Sequence, residues 1–258
     1  MKEPLATATL LLITAGLHLR ADAPGAKVPF VIRGQSQDLY SYPASGSAPK
    51  GVVVFAPGDG GWRGFAVEIA ETVSSWGYRV FGFDTKRYLE SFSGRTTLRE
   101  TEVSGDMRLL AEFARPGPRD RVIFTGWSEG AGLGVLAMDL PQKQSLFRGF
   151  VAIGLPGAAV LGWRWKDSIT WVTKKDPDEP HFSTLPYVPR IAPVPFALIH
   201  SSGDEYTGVA DAKRLFAAAL EPKRFSLVQA RNHRFEGNRD GFFRALREAL
   251  EWIGQASP

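Results

Sequence analysis

The stretch Val122-Ile123-Phe124-Thr125-Gly126-Trp127-Ser128-Glu129-Gly130-Ala131-Gly132 decides the fold of this chain. Its first four residues form a short apolar run that reads as a buried strand, and the small residues from Ser128 towards Met138 read as a helix. Gly126, Ser128 and Gly130 match G-x-S-x-G at the junction. A serine at so sharp a strand-to-helix turn needs glycine on either side, because neighbouring side chains would collide while the hydroxyl projects above the sheet. Ser128 is therefore a candidate nucleophile. A serine hydroxyl is weak at neutral pH, so this reading requires a base to take its proton and a carboxylate to orient that base.

Working outward, apolar runs alternate with helical periodicity on both sides of the serine. Two edge strands are expected near residues 28–32 and 38–42. Residues 52–55 form a buried run closed by a Gly-rich turn, and Phe65, Ile69, Val73 and Trp76 then repeat at helical spacing until Gly77. Strands are expected at 78–83, 122–125, 150–153, 196–200 and 225–228, with helices near 97–113, 209–220 and 240–252. Such alternation predicts an α/β fold, a mostly parallel sheet covered on both faces. Residues 155–193 break the rhythm with Trp163, Trp165, Trp171, Tyr187 and several prolines, and read as a lid or as a surface insertion.

The chain has four histidines. His18 lies in the apolar leader, His181 in the irregular segment and His200 at the end of a buried strand, where a structural hydrogen bond is expected. His233 follows the last strand and precedes the last helix, on the edge where the serine should lie, and is the candidate base. Asp204 follows the strand 196–199 in Ser201-Ser202-Gly203-Asp204-Glu205 and is the candidate acid, with Glu205 in reserve. The order Ser128, Asp204, His233 is that of α/β-hydrolases and differs from the orders of other serine-hydrolase folds. An oxyanion needs two fixed N–H donors: Glu129, which follows the nucleophile, and Asp59, with Gly60 next, in Pro57-Gly58-Asp59-Gly60-Gly61-Trp62. Trp62 and Trp127 are candidates for substrate contact, with core packing as the alternative for each.

Other chemistries are excluded by what is missing. The chain contains no cysteine, which rules out disulfides, thiol catalysis and lipid attachment through sulfur. The Gly-rich loop lacks the Lys-Ser/Thr of a P-loop, and Arg63 stands where a dinucleotide fingerprint needs its third glycine. No metal motif occurs, so neither metal nor cofactor is expected. A net charge of +4 without a run of cations and aromatics argues against nucleic acid. Residues 1–23 combine Lys2, an apolar run at 5–19 and Ala21-Asp22-Ala23, the pattern of a cleaved export signal, with a membrane anchor as the alternative. Residues 24–258 would then form one exported, periplasmic domain without a membrane span.

Four patches resemble the VirJ family of periplasmic α/β-hydrolases, found also as the C-terminal domain of AcvB-type proteins. Gly58-Asp59-Gly60-Gly61-Trp62 is similar to the family's G-D-G-G-W loop, Asp84-Thr85-Lys86-Arg87-Tyr88 to its D-x-x-R-Y segment, residues 126–131 to its nucleophile elbow, and His233-Arg234-Phe235-Glu236-Gly237 to its H-x-F-x-G loop. The resemblance implies hydrolysis of aminoacylated phosphatidylglycerol, chiefly the lysyl ester. At the elbow the family usually reads Y-S-F-G-A-D, whereas this chain reads Trp127-Ser128-Glu129-Gly130-Ala131-Gly132. The added carboxylate of Glu129, with Asp59 nearby, is a candidate partner for the ammonium of an aminoacyl group; a solvated acid at a helix N-terminus is the other reading.

Overall fold

The computed structural model describes residues 23–94, 98–173 and 178–256. The expected export segment therefore lies, apart from Ala23, outside the described residues. Ten strands run β1 Ala26–Ile32, β2 Gln35–Tyr42, β3 Gly51–Ala56, β4 Tyr78–Phe83, β5 Val122–Trp127, β6 Phe147–Ile153, β7 Ala158–Val160, β8 His181–Ser183, β9 Phe196–Ser201 and β10 Lys223–Val228. Among them lie α1 Phe65–Ser75, α2 Thr85–Phe92, α3 Glu100–Ala114, α4 Glu129–Ala137, α5 Lys143–Leu146, α6 Thr170–Thr173, α7 Val209–Ala218 and α8 Arg239–Gln255.

The main sheet has the order β1-β2-β4-β3-β5-β6-β9-β10. From β4 to β10 every neighbouring pair is parallel, and β2 alone runs against the rest, antiparallel to both β1 and β4. Alternation along the strands explains the two helical layers. Val52, Val54 and Ala56 of β3 face a core shared with α3 and α4, while Val53 and Phe55 face one shared with α1 and α8.

Register then places the functional edge. Ala56 pairs with Gly126, Trp127 with Ile153, Ile153 with Ile199 and Ser201 with Val228, so the loops after β3, β5, β6, β9 and β10 all leave the sheet at one edge. Chain order reverses between β3 and β5, and a crevice opens at the carboxyl ends of strands where an open sheet switches direction.

The structure differs from expectation in three respects. Helix α2 was not expected; Asp84 caps it by accepting the Arg87 N–H at 3.1 Å, and Tyr88, Leu89 and Phe92 bury its inner side. The strands β6 and β10 begin earlier than their apolar runs, at Phe147 and Lys223. Within residues 155–193, β7 and β8 form an antiparallel ribbon of three residues each, too short to leave a period in the sequence.

Candidate active site

Ser128 stands between β5 and α4 with φ 55° and ψ −122°, a strained conformation for a residue with a side chain. The strain is held from both sides. Its N–H donates to the carbonyl of Ile153 at 2.9 Å, and its carbonyl accepts the N–H of Ala131 at 2.8 Å. Helix α4 starts so close to β3 that a Cβ on Gly130 would lie 2.0 Å from the carbonyl oxygen of Ala56. The second glycine of the motif thus lets the helix approach the sheet.

Asp204 and His233 meet on the neighbouring loops. Asp204 Oδ2 lies 2.6 Å from His233 Nδ1, while Oδ1 accepts the N–H groups of Tyr206 and Thr207 at 2.9 and 3.0 Å. Burial would raise the Asp204 carboxyl, but the His233 contact and those two donors outweigh it and hold the group below its ordinary value. Glu205 does not meet the ring; its Oε2 accepts the backbone N–H of His233 at 2.7 Å and fixes the loop instead. Phe235 is fully buried against Phe242, with ring centres 4.5 Å apart, which pins the histidine loop to the core.

His233 Nε2 is buried and makes no hydrogen bond among the described residues. Leaving a buried nitrogen unpaired costs on the order of 1–3 kcal/mol, so the site is built for a partner at this atom. Ser128 and His233 line the same pocket, of about 580 Å³. That volume is in the range of small-molecule sites.

The other predicted residues divide. Asp59 and Glu129 line the pocket beside Ser128, and Glu129 opens α4, where the first amides have no carbonyl of their own helix to bond. Both carboxylates reach upward: Asp59 Oδ2 accepts the indole N–H of Trp171 at 2.9 Å, and Glu129 Oε2 accepts the N–H of Val160 at 3.0 Å. The Glu129 carboxylate is thus engaged with β7, not merely solvated. Burial raises the Asp59 carboxyl above its ordinary value, with the Trp171 hydrogen bond and the nearby Arg234 opposing.

Trp62 corrects an expectation. Its ring stacks on Tyr40 at 4.9 Å, its indole N–H donates to Tyr42 Oη at 3.3 Å, and it fills the space over Gly82, where a Cβ would fall 1.8 Å from the ring. It packs against the sheet and is absent from the pocket lining. The reason lies in two neighbouring strands that offer a Tyr and a bare Gly, a berth invisible from the loop itself. Trp127 lines the pocket and stacks on the imidazole at 5.6 Å between centres, backing His233.

Sequence reasoning missed three supports. Asp84 Oδ2 accepts the N–H of Trp62 at 3.2 Å, bracing the Gly-rich loop from the end of β4. Tyr88 donates to the buried Asp106 at 2.6 Å, and Asp106 also holds Arg33 at 2.8 Å. Gly154, at φ 55°, lies behind the base, and a Cβ there would sit 2.5 Å from His233 Cε1. A glycine directly after the apolar strand β6 was the available signal. Of the remaining histidines, buried His200 donates from Nε2 to the Thr207 carbonyl at 3.0 Å, and His181 is exposed on β8. Among the described residues no cluster of three or more His, Cys, Asp or Glu is arranged to hold a metal, and no helix is long and apolar enough to cross a membrane.

Comparison with known proteins agrees with this architecture. Solved structures similar to this chain include the esterase domain of a Rhodothermus marinus protein, with a TM-score of 0.60 and 19% identity over 88% of this chain and 97% of the other. Est1E from Butyrivibrio proteoclasticus gives a TM-score of 0.65 and 10% identity over 88% and 98%. A dienelactone hydrolase from Anabaena variabilis gives 0.62 and 16% over 88% and 95%. No curated protein sequence matches the chain. The family described as bacterial virulence protein (VirJ) matches residues 50–164, which hold the Gly-rich loop, the Asp84–Tyr88 segment and the serine elbow. The chain is VirJ-like in that segment and has the α/β-hydrolase fold throughout its described length.

Proposed function

We propose that the protein is a serine esterase in which Ser128 is the nucleophile, His233 the general base and acid, and Asp204 the group that orients the imidazole. The observation that carries this reading is the paired Asp204–His233 unit, with its second ring nitrogen unpartnered, in the pocket that Ser128 lines. In this reaction Ser128 Oγ attacks the ester carbonyl as His233 Nε2 takes its proton. The oxyanion binds the N–H groups of Glu129 and Asp59, His233 returns the proton to the departing alcohol, and water then releases the acyl group by the same steps.

The favoured substrate is an aminoacyl ester of phosphatidylglycerol in the bacterial envelope. Its support is the match to the VirJ family together with a pocket lined by both signs of charge. The Asp59 carboxylate suits an ammonium group beside the reacting carbonyl, and Arg214 and Arg234 suit a phosphodiester. The apolar leader and its small-x-small end support export to the periplasm.

The test is release of amino acid from lysyl-phosphatidylglycerol vesicles by wild type and Ser128→Ala, beside a short-chain p-nitrophenyl ester. The proposal expects lipid turnover that the variant loses. Turnover of the short ester alone would keep the triad and discard the lipid in favour of a general carboxylesterase or dienelactone-type hydrolase. Absence of Ser128-dependent turnover of either would point to a non-catalytic envelope binding or assembly protein on a hydrolase fold.

A further inference from the structure

His200 is a titratable side chain that the proposed reaction does not use, and it is fully buried near the end of β9. Its Nε2 lies 3.0 Å from the Thr207 carbonyl, and because a carbonyl oxygen only accepts, this nitrogen carries the proton. Nδ1 is buried and makes no hydrogen bond among the described residues. A second proton there would be a buried donor without a partner on a cation without water, so the ring stays neutral. Burial pushes the imidazole below its ordinary value, against the opposing Asp204 carboxylate and Thr207 carbonyl. His200 is thus a donor fixed in place and in tautomer.

What this donor holds is the second half of the loop that carries the triad acid. The first half is held by the histidine loop: Ser202 Oγ accepts the N–H of Ala230 at 3.2 Å, and Gly203 comes so close that a Cβ would fall 2.5 Å from the Arg231 carbonyl oxygen. Beyond Asp204 the chain passes through exposed Glu205 and Tyr206 and returns to the interior at Thr207. Two bonds meet at that residue. Its carbonyl accepts the His200 proton, and its N–H donates to Asp204 Oδ1 at 3.0 Å, while Asp204 Oδ2 lies 2.6 Å from His233 Nδ1. We infer that His200 is a positioning residue that, by holding Thr207, aims the Asp204 carboxylate at the His233 ring. The role rests on the esterase reading. Because His200 is absent from the pocket lining and acts through the loop, its loss should be felt in kcat and not in KM.

Nitrogen NMR of isotope-labelled histidine rings at mildly alkaline pH, with turnover of a short-chain p-nitrophenyl ester beside it, tests this. In wild type, with resonances assigned by replacing each histidine in turn, His200 should carry its proton on Nε2 and His233 on Nδ1. His200→Phe keeps a buried ring and deletes the donor. The His233 proton should then divide between its two nitrogens, and kcat should fall by roughly 10–100-fold with KM within about twofold. His200→Gln, whose amide nitrogen stands about where Nε2 does, should return the proton to Nδ1 and bring kcat to within about threefold of wild type. His200→Asn is polar but too short to reach Thr207 and should behave as the Phe variant does, so this pair decides even if the Phe variant fails to fold. The inference is overturned if His200 carries its proton on Nδ1, if His233 keeps its tautomer in His200→Phe or His200→Asn, or if Gln loses as much as Asn. Absence of Ser128-dependent turnover would sink the esterase reading alone, since the tautomer of His233 still reads whether His200 aims Asp204.

Discussion

Ser128, Asp204 and His233 stand on loops whose places are fixed by strand register, whereas the described part of 155–193, itself anchored in the core by Trp163, Val188 and Ile191, meets the site through hydrogen bonds from Trp171 to Asp59 and from Val160 to Glu129. The floor repeats what any serine on this fold needs: a strained turn, a buried acid and an imidazole pinned by an aromatic. The roof is tied to the two residues whose backbone amides are proposed to bind the oxyanion, Asp59 and Glu129. In the proposed mechanism a change in the roof would reach the reacting carbonyl through Asp59 and Glu129, while loss of Ser128, Asp204 or His233 would remove the chemistry itself.

The largest expected effect separates the two acids of the floor. Asp204→Asn should lower kcat by about 10³–10⁴-fold, because the amide no longer selects the tautomer that accepts the Ser128 proton. Glu205→Gln, whose side chain accepts the backbone N–H of His233 and leaves the Asp204–His233 contact in place, should cost roughly tenfold or less. Equal losses would break the assignment of Asp204. Gly154→Ala comes next: its Cβ would collide with His233 at a positive φ, and activity should fall by on the order of 100-fold from a displaced imidazole. Normal activity there would mean that the base tolerates displacement.

Much of the floor was legible in the sequence, because its residues follow apolar runs long enough to mark strand ends, and parallel strands bring successive loops to one edge. Ser128, Asp204 and His233 could be placed this way, since each needs only local punctuation. What was not legible depends on contacts between distant residues. Trp62 follows the Gly-rich loop but lies over Gly82, beside Tyr40 and Tyr42, and nothing near position 62 announces that berth. Helix α2 is short, and its charged Lys86, Arg87 and Glu90 interrupt any apolar run, so Tyr88 is buried through its bond to Asp106 on α3, which nothing near it announces. The ribbon of β7 and β8 spans two three-residue strands, below the length at which alternation can be read.

Smaller effects test the roof. Trp171→Phe keeps a ring against Trp163 and deletes the N–H that Asp59 accepts. Short-ester turnover should stay within about twofold of wild type, while KM for a lipid ester rises a few-fold as the roof loosens. Identical changes for both substrates would show that roof and floor act as one unit.

Acid dependence of stability should separate floor and roof by sign. The Asp204 carboxyl is held below its ordinary value, so its contribution is full above the unfolded carboxyl range near 3.9 and is lost as pH falls through the folded value. The Asp59 carboxyl is raised by burial, so its ionised form weighs against the fold at neutral pH, and that cost vanishes as pH falls below the unfolded range. Asp204→Asn should therefore lower the melting temperature at pH 7, and Asp59→Asn should raise it, with both differences shrinking on acidification. Thermal scans of the three proteins between neutral and acid pH read this directly.

If the proposed triad is right, Ser128 is an activated nucleophile, and covalent labelling by a fluorophosphonate followed by peptide mass spectrometry reads this most directly. A single adduct is expected on the peptide carrying Ser128, absent in Ser128→Ala and slowed by at least about 10³-fold in His233→Ala. An unlabelled wild type, or an adduct that persists in Ser128→Ala, would contradict it.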